Sequence, residues 1–289
     1  MIKRRNKNYK VKRFFYYLLF FLFLVFFLVI IFFHLFYLPK RAAVIFFDVG
    51  QGDAALIRTP TGQKILIDGG PDNSVLQKIG KFLPYFSRQI DLIIISHYHD
   101  DHVTGLIEVI RRYDVKNIIY GQNLKSGFIL KTLLAEAELK NKDKTRSKQP
   151  KILALEDKME INFSNTCRLW ILNPLSLEVP KDDNNSLLTK LSCAGHNFLF
   201  SGDNNYKVEQ ALLRSDFNLQ SDIFKVSHHG SKTANTKDFL KTLSPKLLII
   251  SVGALNRFGH PSQEILNLVS AFGIKLQRTD LDGDIFLRL

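Results

Sequence analysis

The chain has 289 residues, a formal charge of +13, 46% hydrophobic residues and two cysteines. Two thiols exclude a disulfide-built scaffold. From residue 40 onward the length suits one large domain, with no solenoid-spaced repeat and no Gly/Ser- or Pro-rich linker to divide it. The charge is local: Lys3, Arg4, Arg5, Lys7, Lys10, Lys12 and Arg13 have no acidic counterpart, and residues 116–151 carry nine Lys/Arg against Glu136, Glu138 and Asp143.

The first element follows the basic tail of residues 1–13. Residues 14–38 hold no Asp, Glu, Lys or Arg, long enough to cross a bilayer as a helix. A cleaved signal peptide fits less well, because Pro39-Lys40-Arg41 lacks a small-x-small cleavage pattern. Positive charge ahead of the segment predicts a cytoplasmic N-terminus, a single anchor at 14–38, and a domain of residues 39–289 outside the cytoplasmic membrane.

Short strands are expected next, at Ala43 to Asp48, Ala54 to Thr59 and Lys64 to Asp68, as a meander separated by Gly- and Pro-containing turns. A helix near 74–83, a strand at Asp91 to Ser96, helices near 103–112 and 126–140, and a strand at 117–120 follow. The polar run 140–151 is read as a surface loop. The second half predicts strands near 167–172, 187–193, 198–201, 223–227, 247–252 and 285–287, with helices near 208–213, 236–243 and 263–272. Strands dominate each half, so two face-to-face sheets with helices outside satisfy burial. Cys167 and Cys193 sit in strand-like runs without thiolate-ligand spacing; sequence leaves their pairing open, and buried free thiols are the preferred reading.

Chemistry gathers where apolar strands end. Leu92-Ile93-Ile94-Ile95-Ser96 runs into His97-Tyr98-His99-Asp100-Asp101-His102, where His97 and His99 aim alike and Asp101 and His102 can turn toward a second ion. Phe198-Leu199-Phe200-Ser201-Gly202 delivers Asp203, a carboxylate able to bridge two cations; taken alone it would be a turn or cap residue. Ile223 to Ser227 delivers His228 and His229. On an extended backbone adjacent side chains point apart, so one should bind metal and the other face substrate, and His228 is assigned the metal. His260 precedes a helix that Ser262 can cap.

These residues, together with Phe47-Asp48-Val49-Gly50-Gln51-Gly52-Asp53-Ala54, Ile67-Asp68-Gly69-Gly70, Asn184-Asn185-Ser186, His228-His229-Gly230-Ser231 and Gly259-His260-Pro261-Ser262, resemble the metallo-β-lactamase superfamily, and within it the hydrolase-like domain of the ComEC competence DNA-uptake proteins. The likeness runs from about residue 43 to 285. It implies an α+β chain, an αββα four-layer sandwich after one transmembrane helix, with two divalent ions at one edge, zinc or else manganese. Carried over, His97 and His99 hold one ion, Asp101, His102 and His228 the other, and Asp203 bridges. The superfamily's third histidine for the first ion is absent where Asn184-Asn185-Ser186 stands, and His196 in a hairpin turn is a poor substitute. ComEC proteins also join this domain to a multi-span channel, so a channel partner is expected for a chain with one anchor.

The function expected is that of a membrane-anchored, extracytoplasmic dinuclear metallo-hydrolase, a phosphodiesterase or nuclease acting on DNA. Asp203 orients the attacking water, His229 and His260 assist at the ester, and Asn185, Ser231 and Lys232 contact its anionic group. Asp68 is expected to orient a ligand, while Asp48 and Asp53 serve equally well as turn residues. The basic segment 125–151 suits a polyanion or an anionic wall face. Choline-bearing teichoic acid is the alternative polymer, and a non-catalytic polyanion-binding module the alternative class.

Overall fold

The computed structural model describes residues 3–36, 42–83, 87–122, 127–139 and 149–289. Two compact units result, Met1–Lys40 and Arg41–Leu289. In the first, α1 (Lys3–Phe36) carries a 22-residue stretch, Val11–Phe32, of mean hydropathy 3.0 with none of it buried. At 1.5 Å per residue such a stretch covers about 33 Å, the thickness of a hydrocarbon core. Residues 37 and 38, the end of the expected anchor, lie outside the described residues.

The second unit begins with β1 (Ala43–Phe46), β2 (Ala55–Arg58), β3 (Lys64–Ile67), α2 (Ser74–Phe82), β4 (Gln89–Ile90), β5 (Leu92–Ile95) and α3 (Asp100–Arg112). Then come β6 (Asp114–Val115), β7 (Asn117–Gly121), α4 (Phe128–Leu139), β8 (Lys151–Leu155), β9 (Lys158–Ser164), β10 (Cys167–Leu172), β11 (Leu188–Cys193) and β12 (His196–Phe200). The chain closes with α5 (Tyr206–Arg214), β13 (Ile223–Lys225), α6 (Lys237–Leu243), β14 (Leu247–Ile250), α7 (Gln263–Phe272), β15 (Lys275–Arg278), α8 (Thr279–Asp282) and β16 (Ile285–Arg288).

Two seven-stranded sheets form, in the orders β16-β1-β2-β3-β5-β7-β8 and β15-β14-β13-β12-β11-β10-β9. Each is antiparallel on one side and parallel on the other, the change falling at β3 in the first sheet and β12 in the second. The period-two alternation of strand side chains sorts the core into three layers. Val44, Phe46, Leu92, Ile94, Leu169, Ile171, Phe198 and Ile249 meet between the sheets. Ile45, Ile93 and Ile95 face Val103, Leu106 and Leu133 of the α3 and α4 side. Leu199, Leu248 and Ile250 face Val208, Phe239 and Ile265 of α5–α7. These three apolar layers lie between the four layers expected from the sequence, helices, sheet, sheet and helices, and β16 returns the C-terminal end to pair with β1.

The preferred reading of the cysteines needs correction, because Cys167 and Cys193 form a disulfide. They are directly opposed in the β10–β11 register, a proximity set by strand pairing and invisible in local sequence. Strands β8, β9 and β15 also lie where no strand was expected. Lys151, placed at the end of a surface loop, starts β8. Of the basic segment, residues 125, 126 and 140–148 lie outside the described residues.

Candidate metal centre

Both sheets send the carboxyl ends of their parallel strands to one edge, where α/β architectures place their chemistry. Asp68 follows β3, His97 to His102 follow β5, Asp203 follows β12, and His228 and His229 follow β13. Close backbone approach makes this possible. A Cβ on Gly105 of α3 would lie 2.1 Å from the Gly69 carbonyl, so only glycine lets α3 press onto the turn after β3. Gly202, at φ 52°, leaves no room for a side chain beside Ser186.

His102 and His229 are each held by Nδ1. His102 Nδ1 lies 2.9 Å from Asp68 Oδ2, and Asp68 also accepts from the Ser96 backbone N–H at 2.8 Å and from its hydroxyl at 2.6 Å. His229 Nδ1 donates to the Ser251 carbonyl at 2.8 Å. His97 Nδ1 lies 3.1 Å from Ser96 Oγ, while its Nε2 is 2.9 Å from His99 Nδ1. At His102 and His229 such anchoring fixes the tautomer and leaves the Nε2 lone pair for a cation.

The free atoms converge around Asp203, a residue only 2% exposed. Its Oδ1 lies 3.5 Å from His102 Nε2 and 3.7 Å from His229 Nε2. Its Oδ2 lies 3.8 Å from His97 Nε2 and 3.7 Å from His228 Nε2. Asp101 Oδ2 closes on His229 Nε2 at 3.3 Å and on His102 Nε2 at 3.9 Å. Among the described residues four sets have ligand atoms mutually within 4.8 Å: His97, His99 and Asp203; Asp101, His102 and His229; Asp53, Asp68 and His102; and Asp53, Asp203 and His229.

The donors fit divalent cations. His102 Nε2, His229 Nε2 and Asp203 Oδ1 are buried and have no hydrogen-bond partner, an arrangement that costs free energy unless a cation satisfies it. Mixed imidazole and carboxylate donors suit zinc or manganese. Burial raises the Asp203 carboxyl, but His229 and His102 outweigh it and hold the group well below its ordinary range. Burial lowers His97 well below its ordinary value. At His102 burial acts downward, and Asp203, Asp68 and Asp101 overcome it and push the ring well above.

The backbone at the two adjacent histidines differs from the expected one. His228 and His229 are not extended: both are left-handed, at φ 50° and 54°, within a short 3-10 turn. Asn235 clamps this turn, accepting from Ser227 N–H at 2.8 Å and donating to Ser227 O at 3.0 Å. His229 thus enters the Asp101–His102 set in place of His228. The His228 ring instead stands 5.7 Å from that of His260, and burial lowers both rings.

The expected substrate contacts are placed differently. Asn185 is 2% exposed and donates to the Pro180 carbonyl at 2.9 Å, bracing its loop. Ser231 Oγ is in a turn with Thr233 Oγ1 at 3.0 Å, and Lys232 is exposed. Ser186, in the stretch without a third histidine, receives the Asp203 N–H at 2.9 Å and so positions that residue. His196 starts β12, at the opposite end from Asp203.

Two residues were undervalued in the sequence. Asp53 lies 3.5 Å from His229 Nδ1 and 3.8 Å from His102 Nδ1, and forms a buried ion pair with Lys225 of β13. A lysine within the apolar run Ile223 to Val226 was the available signal, since a charge there requires a buried partner.

Residues 47–171 match the family model described as the metallo-beta-lactamase superfamily. Among curated proteins, ComE operon protein 3 of Bacillus subtilis is 26% identical over 270 residues, 87% of this chain and 33% of that protein. Competence protein ComA of Neisseria gonorrhoeae is 28% identical over 244 residues, 84% of this chain and 31% of that protein. The chain thus spans about a third of these relatives' length. The metallo-beta-lactamase fold protein YhfI from Bacillus subtilis superposes with TM-score 0.55 at 13% identity, covering 85% of this chain and 99% of that one.

Proposed function

From the match of residues 47–171 to the metallo-β-lactamase superfamily model, we propose that the chain is a membrane-anchored phosphodiesterase of that superfamily acting on DNA outside the cytoplasm. The observation that carries the hydrolase reading is the meeting of three buried, unpartnered ligand atoms on His102, His229 and Asp203. His97, His99 and Asp203 would hold one divalent ion, and Asp101, His102, His229 and Asp203 the other. When bound, the two ions supply Lewis acidity and acidify a water for attack on the ester.

The chain's own groups do the positioning. Asp68 and the Ser251 carbonyl lock the rings of His102 and His229, so the site loses little freedom during reaction. His228, with its side chain 25% exposed, stands beside His260 at the open side of Asp203. Their lowered pKa values keep both rings neutral near pH 7, and a neutral ring N–H can donate to a phosphoryl or leaving oxygen. A nucleophilic Ser or Cys is not required.

DNA is favoured as the ester by the likeness to competence proteins. Export is supported by the charge ahead of α1 and by the Cys167–Cys193 disulfide, a bond at home in oxidising compartments. A channel partner and the anionic membrane complete the reading. The test uses full-length protein in detergent, loaded with zinc or manganese, against bis-p-nitrophenyl phosphate, DNA and choline-bearing wall polymer. DNA and the model diester should be cleaved, with at least about a hundredfold loss in His99→Ala and Asp101→Ala. Unchanged turnover in these variants sinks the metal assignment, and preference for the wall polymer sinks the choice of DNA.

A further inference from the structure

Away from the metal centre, a 400 Å³ cavity is lined by Lys158, Met159, Glu160, Trp170, Lys190, Asp216, Phe217 and Asn218. It opens where the second sheet lacks a helical cover: the apolar layer under α5–α7 takes Leu172 from β10 and no residue of β9. Trp170 stands between Glu160 of β9 and Lys190 of β11 in the strand register.

Lys190 is the unusual member. It is 6% exposed, yet its ammonium makes a single hydrogen bond, to the Asn218 carbonyl at 2.6 Å, and no ion pair among the described residues. An ammonium has three donors, so two remain to be satisfied on the cavity wall. Burial lowers the Lys190 pKa, the expected mark of a desolvated cation without a counter-charge. An apolar occupant would leave those donors unmet. A phosphate seated inside would meet Glu160 and Asp216 as well as Lys158 and Lys190, so the lining offers it no net positive charge. A neutral planar ring carrying a carbonyl suits this lining, with Trp170 and Phe217 to stack on and the Lys190 ammonium to donate to its oxygen.

We propose that this cavity is a base pocket, which takes a nucleobase with a ring carbonyl, such as thymine, from single-stranded DNA bound by the same molecule. The choice of DNA rests on the function proposed above. Volume agrees, since 400 Å³ falls within the range of small-ligand cavities. The pocket shares no lining residue with the metal centre, so it would hold the strand without taking part in hydrolysis.

Trp170 is the sole tryptophan of the chain, so its fluorescence reports this cavity alone. Full-length protein in detergent micelles with EDTA is titrated with oligothymidylate and with oligodeoxyadenylate. Adenine stacks well but lacks a ring carbonyl, so stacking alone favours it and the Lys190 hydrogen bond favours thymine. Oligothymidylate should quench Trp170 and bind about tenfold more tightly than oligodeoxyadenylate, and Lys190→Met should remove that preference. Phe217→Ala, at the rim, should weaken binding of both and keeps the test open where Lys190→Met does not fold. Equal binding of the two oligomers, no quenching by either, or an unchanged preference in a folded Lys190→Met overturns the pocket. Cleavage of bis-p-nitrophenyl phosphate by the same preparation, reloaded with metal, judges the hydrolase reading separately and should be unaffected by Lys190→Met.

Discussion

The Ser251 carbonyl after β14 receives the Nδ1–H of His229 at 2.8 Å, and this hydrogen bond commits His229 Nε2 to the space between Asp101 and Asp203. His228 has no comparable anchor, and its Nδ1 is buried without a partner. The two adjacent histidines therefore differ in how they are anchored. His229→Ala should lower the metal content of the purified protein from two ions per chain toward one, whereas His228→Ala should keep both ions and lose about a hundredfold in turnover. Metal analysis by mass spectrometry decides the matter: loss of an ion in His228→Ala and retention in His229→Ala would reverse the assignment.

The Lys225–Asp53 pair sits beneath both rings. Removing one partner of a buried pair leaves an uncompensated charge, which costs about 3–5 kcal/mol. Lys225→Met should lower the stability of the metal-free protein by that order, measured by denaturant unfolding. Adding Asp53→Asn should recover part of the loss, because the stranded carboxylate is then gone. A double variant less stable than Lys225→Met would show that Asp53 contributes through contacts other than this pair.

Much of the architecture was legible in the sequence because its signals are local. Leu92 to Ile95 is apolar throughout and buried on both faces, as a central parallel strand must be, and the histidine motif directly follows it. Features set by distant contacts were not legible. The left-handed turn at His228 and His229 depends on Asn235 and on the Gly202 carbonyl, which accepts the His228 N–H at 3.0 Å. The cysteine pair depends on the β10–β11 register. Strand β9 did alternate, as Lys158, Glu160 and Asn162 against Met159, Ile161 and Phe163. Its position at the sheet edge leaves that pattern half-exposed and weak.

Cys167 and Cys193 are 26 residues apart in sequence. Cross-linking a loop of that length constrains the unfolded chain by about 3 kcal/mol. Reduction, or the Cys167→Ala/Cys193→Ala variant, should lower unfolding free energy by that order and leave metal content intact, since the bond lies at the end of β11 away from Asp203. Loss of bound metal on mild reduction would contradict this separation of stability from the site.

Asp284, just ahead of β16, accepts from the Asp48 backbone N–H at 3.0 Å and pairs with Lys78 at 2.7 Å and Lys81 at 3.3 Å, with its side chain 6% exposed. It thereby ties α2 to the loop that carries Asp53. Burial raises the Asp284 carboxyl, but Lys78 and the Asp48 N–H outweigh burial, and its pKa falls below the ordinary aspartate value. A group with a depressed folded pKa adds stability that is present above the unfolded value and lost as pH falls through the folded one. Asp284→Asn should therefore cost about 2 kcal/mol at neutral pH. The gap between wild type and variant should close as pH drops below about 4. Unfolding curves for both proteins across that range give the test, and a gap that persists undiminished in acid would mean that Asp284 acts through packing and not through its charge.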